Sequence, residues 1–183
     1  MAKQVVLFEI VLVQLVVVLL FSQLGINANS TKDMALIESV CQKTHDYQLC
    51  VSTLKSNPLS FKSDVKGLAS IMLGIIQRKM YGIVPTIDQM GANSSDPPIR
   101  DCLKQVCSLE YRANIALIGD AMQVWKSGGK LVDALVYVQR ALQNAEICEN
   151  CFMKQFQRKS PITPINSNFV DLCYVAQGIM LIP

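Results

Sequence analysis

The chain has 183 residues, with 17 Lys and Arg against 14 Asp and Glu, one histidine and a hydrophobic share of 51%. A net charge of +3 without a strong basic patch is too mild for a protein built to hold nucleic acid or an anionic lipid surface. A single histidine, and acids scattered along the chain, also speak against acid/base catalysis.

The chain opens with Met1-Ala2-Lys3-Gln4, runs through apolar residues from Val5 to Phe21, and turns polar at Ser22 and Gln23. One positive charge, an apolar core and a polar exit make the pattern of a secretory signal peptide, expected over residues 1–28. A membrane anchor is the alternative for so long a run. Glu9 and Gln14 interrupt it, and a carboxylate near a bilayer centre costs about 2.5–3.5 kcal/mol. Small residues at Gly25 and Ala28 offer cleavage points, so a secreted chain without membrane attachment is expected to begin near Asn29. Residues 29–183 then form one domain, long enough to bury a core.

Beyond Thr31 the apolar residues recur at helical spacing and nowhere alternate as a strand would. Residues 32–57 read as two short helices broken at Thr44-His45-Asp46, and Pro58 ends the hairpin. A long helix starts at Ser63 or Asp64, its apolar side carrying Leu68, Met72, Ile76, Met80, Ile83, Ile87 and Met90. Pro85 inside it is expected to kink the helix or end it early. Gly91–Pro98 reads as a loop.

The next helix runs from about Ile99 to Lys126 with Leu103, Cys107, Tyr111, Ile115, Ile118, Met122 and Trp125 on one side; Ser127-Gly128-Gly129 stops it. Another carries Leu131, Leu135, Val138, Leu142, Ala145 and Cys148. The basic stretch Lys154–Lys159 reads as a solvated loop. Thr163-Pro164 opens the last helix, threonine as N-cap and proline at the first helical position, with Ile165, Phe169, Leu172, Ala176 and Ile179 as its apolar face. The fold class is therefore all-α: a helical hairpin over 32–57, then an antiparallel up-down-up-down four-helix bundle over 63–182, stapled by disulfides. The methionines at helical spacing read as core.

Seven cysteines follow the signal segment, so an oxidising compartment and disulfides are expected. In an antiparallel helical hairpin, residues equally far from the turn face each other. Cys41 and Cys50 straddle His45-Asp46 evenly, so they pair. Cys107 and Cys148 lie 21 and 20 residues from Gly128, level across the interface. Cys102 and Cys151, at 26 and 23 residues, are offset by roughly 4–5 Å, which a helix end can absorb, so they form an extra bond. Cys102 with Cys148 would be offset by about 9 Å, beyond the roughly 7 Å that a disulfide spans between Cα atoms. Cys173 is the free thiol, buried on the last helix.

A metal site built from Cys102, Cys107 and the Cys148-Glu149-Asn150-Cys151 pair needs thiolates that a secreted chain rarely keeps, and thioredoxin-like chemistry lacks its β-α-β surroundings. Neither metal nor cofactor is expected. No nucleophile can be argued for His45, which sits in a turn. Ser127-Gly128-Gly129-Lys130 falls short of a phosphate loop, with Val124 in place of the first glycine and Leu131 in place of Ser or Thr. No catalytic residue is assigned. Asn29-Ser30-Thr31 and Asn93-Ser94-Ser95 are N-glycosylation triplets in polar segments.

Several stretches together resemble the plant pectin methylesterase and invertase inhibitor family. They are Ile37-Glu38-Ser39-Val40-Cys41 followed by Lys43-Thr44 and Tyr47-Gln48-Leu49-Cys50; Cys107-Ser108-Leu109-Glu110-Tyr111; Ala141-Leu142 with Cys148 and Phe152; and Ser160-Pro161-Ile162-Thr163 with Asn166, Leu172 and Ala176. The resemblance implies a secreted inhibitor of the apoplast or cell wall, or of the vacuole, that covers another enzyme's active site. It implies the bonds Cys41–Cys50 and Cys107–Cys148, with Cys102 and Cys151 extra to the usual pattern.

In the pectin methylesterase branch, acidic residues face the enzyme at positions that match Leu109, Ala113 and Ala116. The invertase branch uses a Pro-Lys-Phe segment where this chain has Gly129-Lys130-Leu131, so only Lys130 matches. The surroundings of Lys126-Ser127-Gly128 and Asp171-Leu172-Cys173 look more like the methylesterase branch. Pectin methylesterase is therefore the expected partner, with invertase as the alternative. A secreted carrier enclosing an apolar cavity is a different class, and the chain lacks the adjacent-cysteine, eight-cysteine signature of plant lipid-transfer scaffolds.

Overall fold

The computed structural model describes residues 13–15 and 34–183. The expected signal segment, apart from 13–15, and the Asn29 triplet lie outside them. Among the described residues all regular structure is helical, and no helix is long and apolar enough to cross a membrane.

Helix α1 spans 34–41 and α2 spans Tyr47–Lys55. Asp46 starts α2 by accepting the Leu49 amide on its carboxylate at 2.9 Å, and the Cys41–Cys50 disulfide clips the pair together. A 3-10 turn at Pro58–Lys62 leads into α3, Val65–Asn93, whose Asp64 cap accepts the Gly67 amide at 2.7 Å.

Of the two outcomes expected at Pro85, early termination does not occur: α3 runs through it to Asn93. Pro85 and the preceding turn residues Tyr81 and Gly82 all face solvent, so the Tyr81 carbonyl left without a helical donor can be hydrated. The following connection is correspondingly short, 94–96 in place of a loop over Gly91–Pro98. Next comes α4, Pro97–Asp101, capped by Asp96. It passes through a π-helical stretch, Cys102–Cys107, into α5, Ser108–Lys126.

Gly128, at φ 76°, and Gly129 end α5 as expected: the Gly129 amide donates to the Val124 carbonyl at 3.0 Å and the Gly128 amide to that of Trp125 at 3.4 Å. Helix α6, Leu131–Phe156, runs two turns beyond Cys148, so half of the basic stretch expected as a loop is helix. Cationic Lys154 in its last turn suits the negative end of the helix dipole. Helix α7 spans Thr163–Met180. Thr163 is its first residue and not its cap, its hydroxyl donating to the Ser160 carbonyl at 3.0 Å.

Around the bundle α3 packs on α5, α5 on α6, α6 on α7 and α7 on α3, all antiparallel, so α5 and α7 stand diagonally opposed. Leu68, Met72, Ile76, Met80, Ile118, Val138, Leu172 and Ile179 fill the core. Met72 and Met80 are in the core as expected, while Met90 and Met122 are half-buried and line surface grooves. The N-terminal hairpin rests on α3 and α7. At Gly178 the α7 backbone meets Thr44, whose Cα would lie 3.2 Å from any Cβ placed there.

Candidate functional site

Helix α5 is the most heavily fixed element. Disulfides tie its leading end to α6 twice, Cys107 to Cys148 and Cys102 to Cys151, with Cα separations of 4.7 and 5.8 Å. These are the pairs expected from distance to the turn. On a regular α-helix, residues five apart point about 140° away from each other, so Cys102 and Cys107 could not both face α6. The π-helical stretch between them, where the Ser108 amide donates to the Leu103 carbonyl five residues back, brings the two thiols toward one face. Six of the seven cysteines are thus engaged, and Cys173 is buried. Among the described residues no group of His, Cys, Asp and Glu could hold a metal ion.

Polar side chains anchor the inner face of α5. Tyr111 donates to Asn166 Oδ1 of α7 at 2.6 Å, while Asn166 Nδ2 donates to the Ala145 carbonyl of α6 at 3.1 Å. Asn114 Nδ2 donates to the Ala141 carbonyl at 3.2 Å and its Oδ1 accepts from Asn144 at 2.9 Å. Toward α3, Ser108 and Arg112 both donate to the Asp88 carboxylate at 2.5 Å. Gln77 of α3 donates to the Ile115 carbonyl at 3.0 Å. Burial pushes the Tyr111 phenol well above its usual range, helped by Cys173 and Glu149, and pushes the Cys173 thiol up as well.

The outer face of α5 carries an apolar line by contrast, with Asp120 exposed four residues beyond its last member. Leu109, Ala113 and Ala116 are exposed at spacings of four and three, which sets them in one line along the helix. Leu109 is 59% exposed, unusual for a leucine with no cavity to fill. Lys130 is also exposed, but it stands past the far end of α5, in the connection before α6. The structure therefore groups Leu109, Ala113 and Ala116 and leaves Lys130 apart from them. Asn93, the last residue of α3, is exposed.

Beside this face, between α3 and α5, lies an open groove of about 950 Å³ whose walls include Tyr81, Ala116 and Lys126. A second groove of about 500 Å³ continues it toward the start of α3 and shares Gln77, Met122 and Lys126. Sequence reading missed these grooves and the buried Asn114. The one available signal was that Asn114 sits on the apolar stripe, three residues after Tyr111 and four before Ile118.

The fold is that of a disulfide-stapled four-helix-bundle domain preceded by a helical hairpin. Residues 35–179 match the family described as Plant invertase/pectin methylesterase inhibitor, and the chain belongs to that family. It is 31% identical to the cell wall / vacuolar inhibitor of fructosidase 2 of Arabidopsis thaliana, over 91% of this chain and 93% of that one. With the pectinesterase inhibitor of Actinidia deliciosa it shares 28% identity over 87% of this chain and 85% of the relative. Its fold matches a crystal structure of a mutant pectin methylesterase inhibitor from Arabidopsis at a TM-score of 0.66 and 21% identity, over 80% of this chain and 97% of that one. Both sequence relatives are named as inhibitors and not as enzymes.

Proposed function

We propose that the chain is secreted and inhibits pectin methylesterase by laying the outer face of α5 across the mouth of the enzyme's active-site cleft. The supporting observation is the exposed line Leu109, Ala113 and Ala116 on a helix that two disulfides and a buried polar network hold rigid. A rigid apolar face loses little conformational freedom on binding, so shape complementarity can carry affinity without the acidic residues of the methylesterase branch. The cell wall is the proposed site of action, with glycans at Asn29 and Asn93.

Invertase is the second reading. The 31% identity to an inhibitor of fructosidase and the exposed Lys130 favour it. Against it stands glycine at position 129, where the invertase branch has the proline of its Pro-Lys-Phe segment. The test adds the oxidised chain to a pectin methylesterase and to an acid invertase side by side. Loss of methylesterase activity is expected. Strong inhibition of invertase with an untouched methylesterase reverses the assignment.

A further inference from the structure

The smaller of the two connected grooves carries three cations, Lys62, Arg78 and Lys126, and no carboxylate among its lining residues. None of the three belongs to an ion pair among the described residues. The nearby Asp64 is already committed to the Gly67 amide at the start of α3. The floor is bare because Gly74 has no side chain: a Cβ there would meet Arg78 Nη1 at 3.6 Å and Met122 Sδ at 3.7 Å. The Arg78 guanidinium thus lies folded back over the floor.

Among the uncharged groups beside these cations Ser63, Ser70 and Gln77 offer acceptors, while Asn57 spends its oxygen on the Leu59 amide and keeps its own amide hydrogens to donate. Ser63 and Ser70 donate their hydroxyl protons to the Leu59 and Lys66 carbonyls, at 2.8 and 3.0 Å, leaving oxygen lone pairs toward the groove. Gln77 spends its amide on the Ile115 carbonyl, which leaves its side-chain oxygen to accept. Cations for carboxylates and oxygens for donated protons ask for a ligand that is both acidic and hydroxylated. Inorganic phosphate also carries acidic oxygens and a hydroxyl, but it is too small to reach all three cations and the acceptors at once.

Length points the same way. From Gly67 in one groove to Tyr81 in the other, α3 rises about 21 Å, the reach of an oligomer and not of one sugar. Tyr81 is 60% exposed at that end, where the larger groove also carries a carboxylate, Asp120. The ligand's acidic groups therefore belong over the three cations of the smaller groove, and a sugar ring's C–H side over Tyr81.

We propose that the groove between α3 and α5 binds an acidic oligosaccharide, a short chain of uronic acid residues. Its carboxylates pair with Lys62, Arg78 and Lys126, and its hydroxyls donate to Ser63, Ser70 and Gln77. The site does not depend on which enzyme the chain inhibits, or on whether it inhibits one.

The test titrates the oxidised full-length chain with hexagalacturonate by calorimetry. Parallel arms use the fully methyl-esterified hexamer, inorganic phosphate and a short poly-glutamate peptide. Saturable binding of the acidic hexamer alone is expected, weakening as salt rises. The Arg78→Gln/Lys126→Gln variant should bind at least about tenfold more weakly. Gly74→Leu, which fills the floor, pushes the Arg78 guanidinium off it and removes no charge, should do the same; thermal transitions confirm that both variants fold. No binding, equal binding of the neutral hexamer, or unchanged affinity in both variants would overturn the site. Poly-glutamate or phosphate binding as tightly as the hexamer would overturn its assignment to a saccharide.

Discussion

The Tyr111 hydroxyl reaches Asn166 Oδ1 at 2.6 Å across the diagonal of the bundle, joining α5 to α7. Asn166 passes the link on to the Ala145 carbonyl of α6, and the Tyr111 ring tilts against Phe169 at 5.5 Å. One fully buried pair therefore sets the rotation of three helices, including the one whose outer face is proposed to meet the target.

Breaking that pair leaves a buried polar atom alone, and the remaining partner decides the cost. Tyr111→Phe strands only Asn166 Oδ1 and should destabilise by about 1–3 kcal/mol. Asn166→Ala strands the tyrosine hydroxyl, removes a second bond to the Ala145 carbonyl and opens a small space, so it should cost more. In urea denaturation the double variant should lose less than the two singles added together, because the interaction can be lost only once. Strict additivity would mean that the bond contributes nothing in the folded chain.

Tyr111 and Cys173 also set the alkaline limit of the fold. Burial raises both above their usual values, so each holds its proton more tightly folded than unfolded. Their stabilisation is complete below the unfolded values, about 8.5 for cysteine and about 10 for tyrosine, and is lost as pH climbs past them toward the folded values. Stability should stay level to about pH 8 and then fall by up to about 1.4 kcal/mol per pH unit for each group that has begun to titrate. Cys173→Ala should move the start of the fall upward toward pH 10. Denaturation midpoints measured from pH 7 to 11 give the answer, and an unchanged onset in the variant would remove Cys173 from the account.

The start of α3 and the stop of α5 were legible in the sequence because they depend on local chemistry: Asp64 and Gly128 perform the roles their residue types suit. Cysteine pairing was legible because helical rise turns sequence distance into height. An early stop at Pro85 was misread because proline's effect depends on which side of the helix it faces, and Pro85 faces water. No local signal announces the π-helical stretch; two disulfides and the need to present both thiols to α6 accompany it. The cationic groove was invisible for a different reason. Lys62, Arg78 and Lys126 come from three elements and meet only once α3 and α5 are packed.

The two bonds between α5 and α6 should not be equal in worth. Alone, either closes a loop of more than 40 residues and contributes about 4 kcal/mol on the chain-entropy estimate. With Cys107–Cys148 in place, Cys102–Cys151 closes only the short ring through the first bond, which is worth about 2–3 kcal/mol. Removing Cys102 and Cys151 together should therefore cost less than the full loop value and leave α5 in position, with the loss confined to α4 and the end of α6. Amide exchange shows the distribution: faster exchange in α4 with unchanged protection in α5 is expected, and deprotection throughout α5 would show the outer bond carrying the helix.

Contact through the outer face of α5 should depend little on salt. Leu109, Ala113 and Ala116 span about 10 Å of helix at 1.5 Å per residue and bring no charge to the surface they form. Arg112 beside them is already engaged with Asp88. Attraction through apolar shape is not screened, whereas attraction between exposed charges fades within about 10 Å at 0.1 M salt. Inhibition of methylesterase should thus change little from low to moderate salt. Ala113→Arg and Ala116→Arg place long charged side chains on a surface with no native contact to lose, so stability should stay within about 0.5 kcal/mol. Inhibition should fall at least about tenfold in each, since a charge buried at a closed interface without a partner costs more than 1.4 kcal/mol. Lys130→Ala, at the other end of the helix, should leave it unchanged. If both arginine variants inhibit like the parent while Lys130→Ala does not, the target sits on the connection before α6, and the outer face of α5 is not the site.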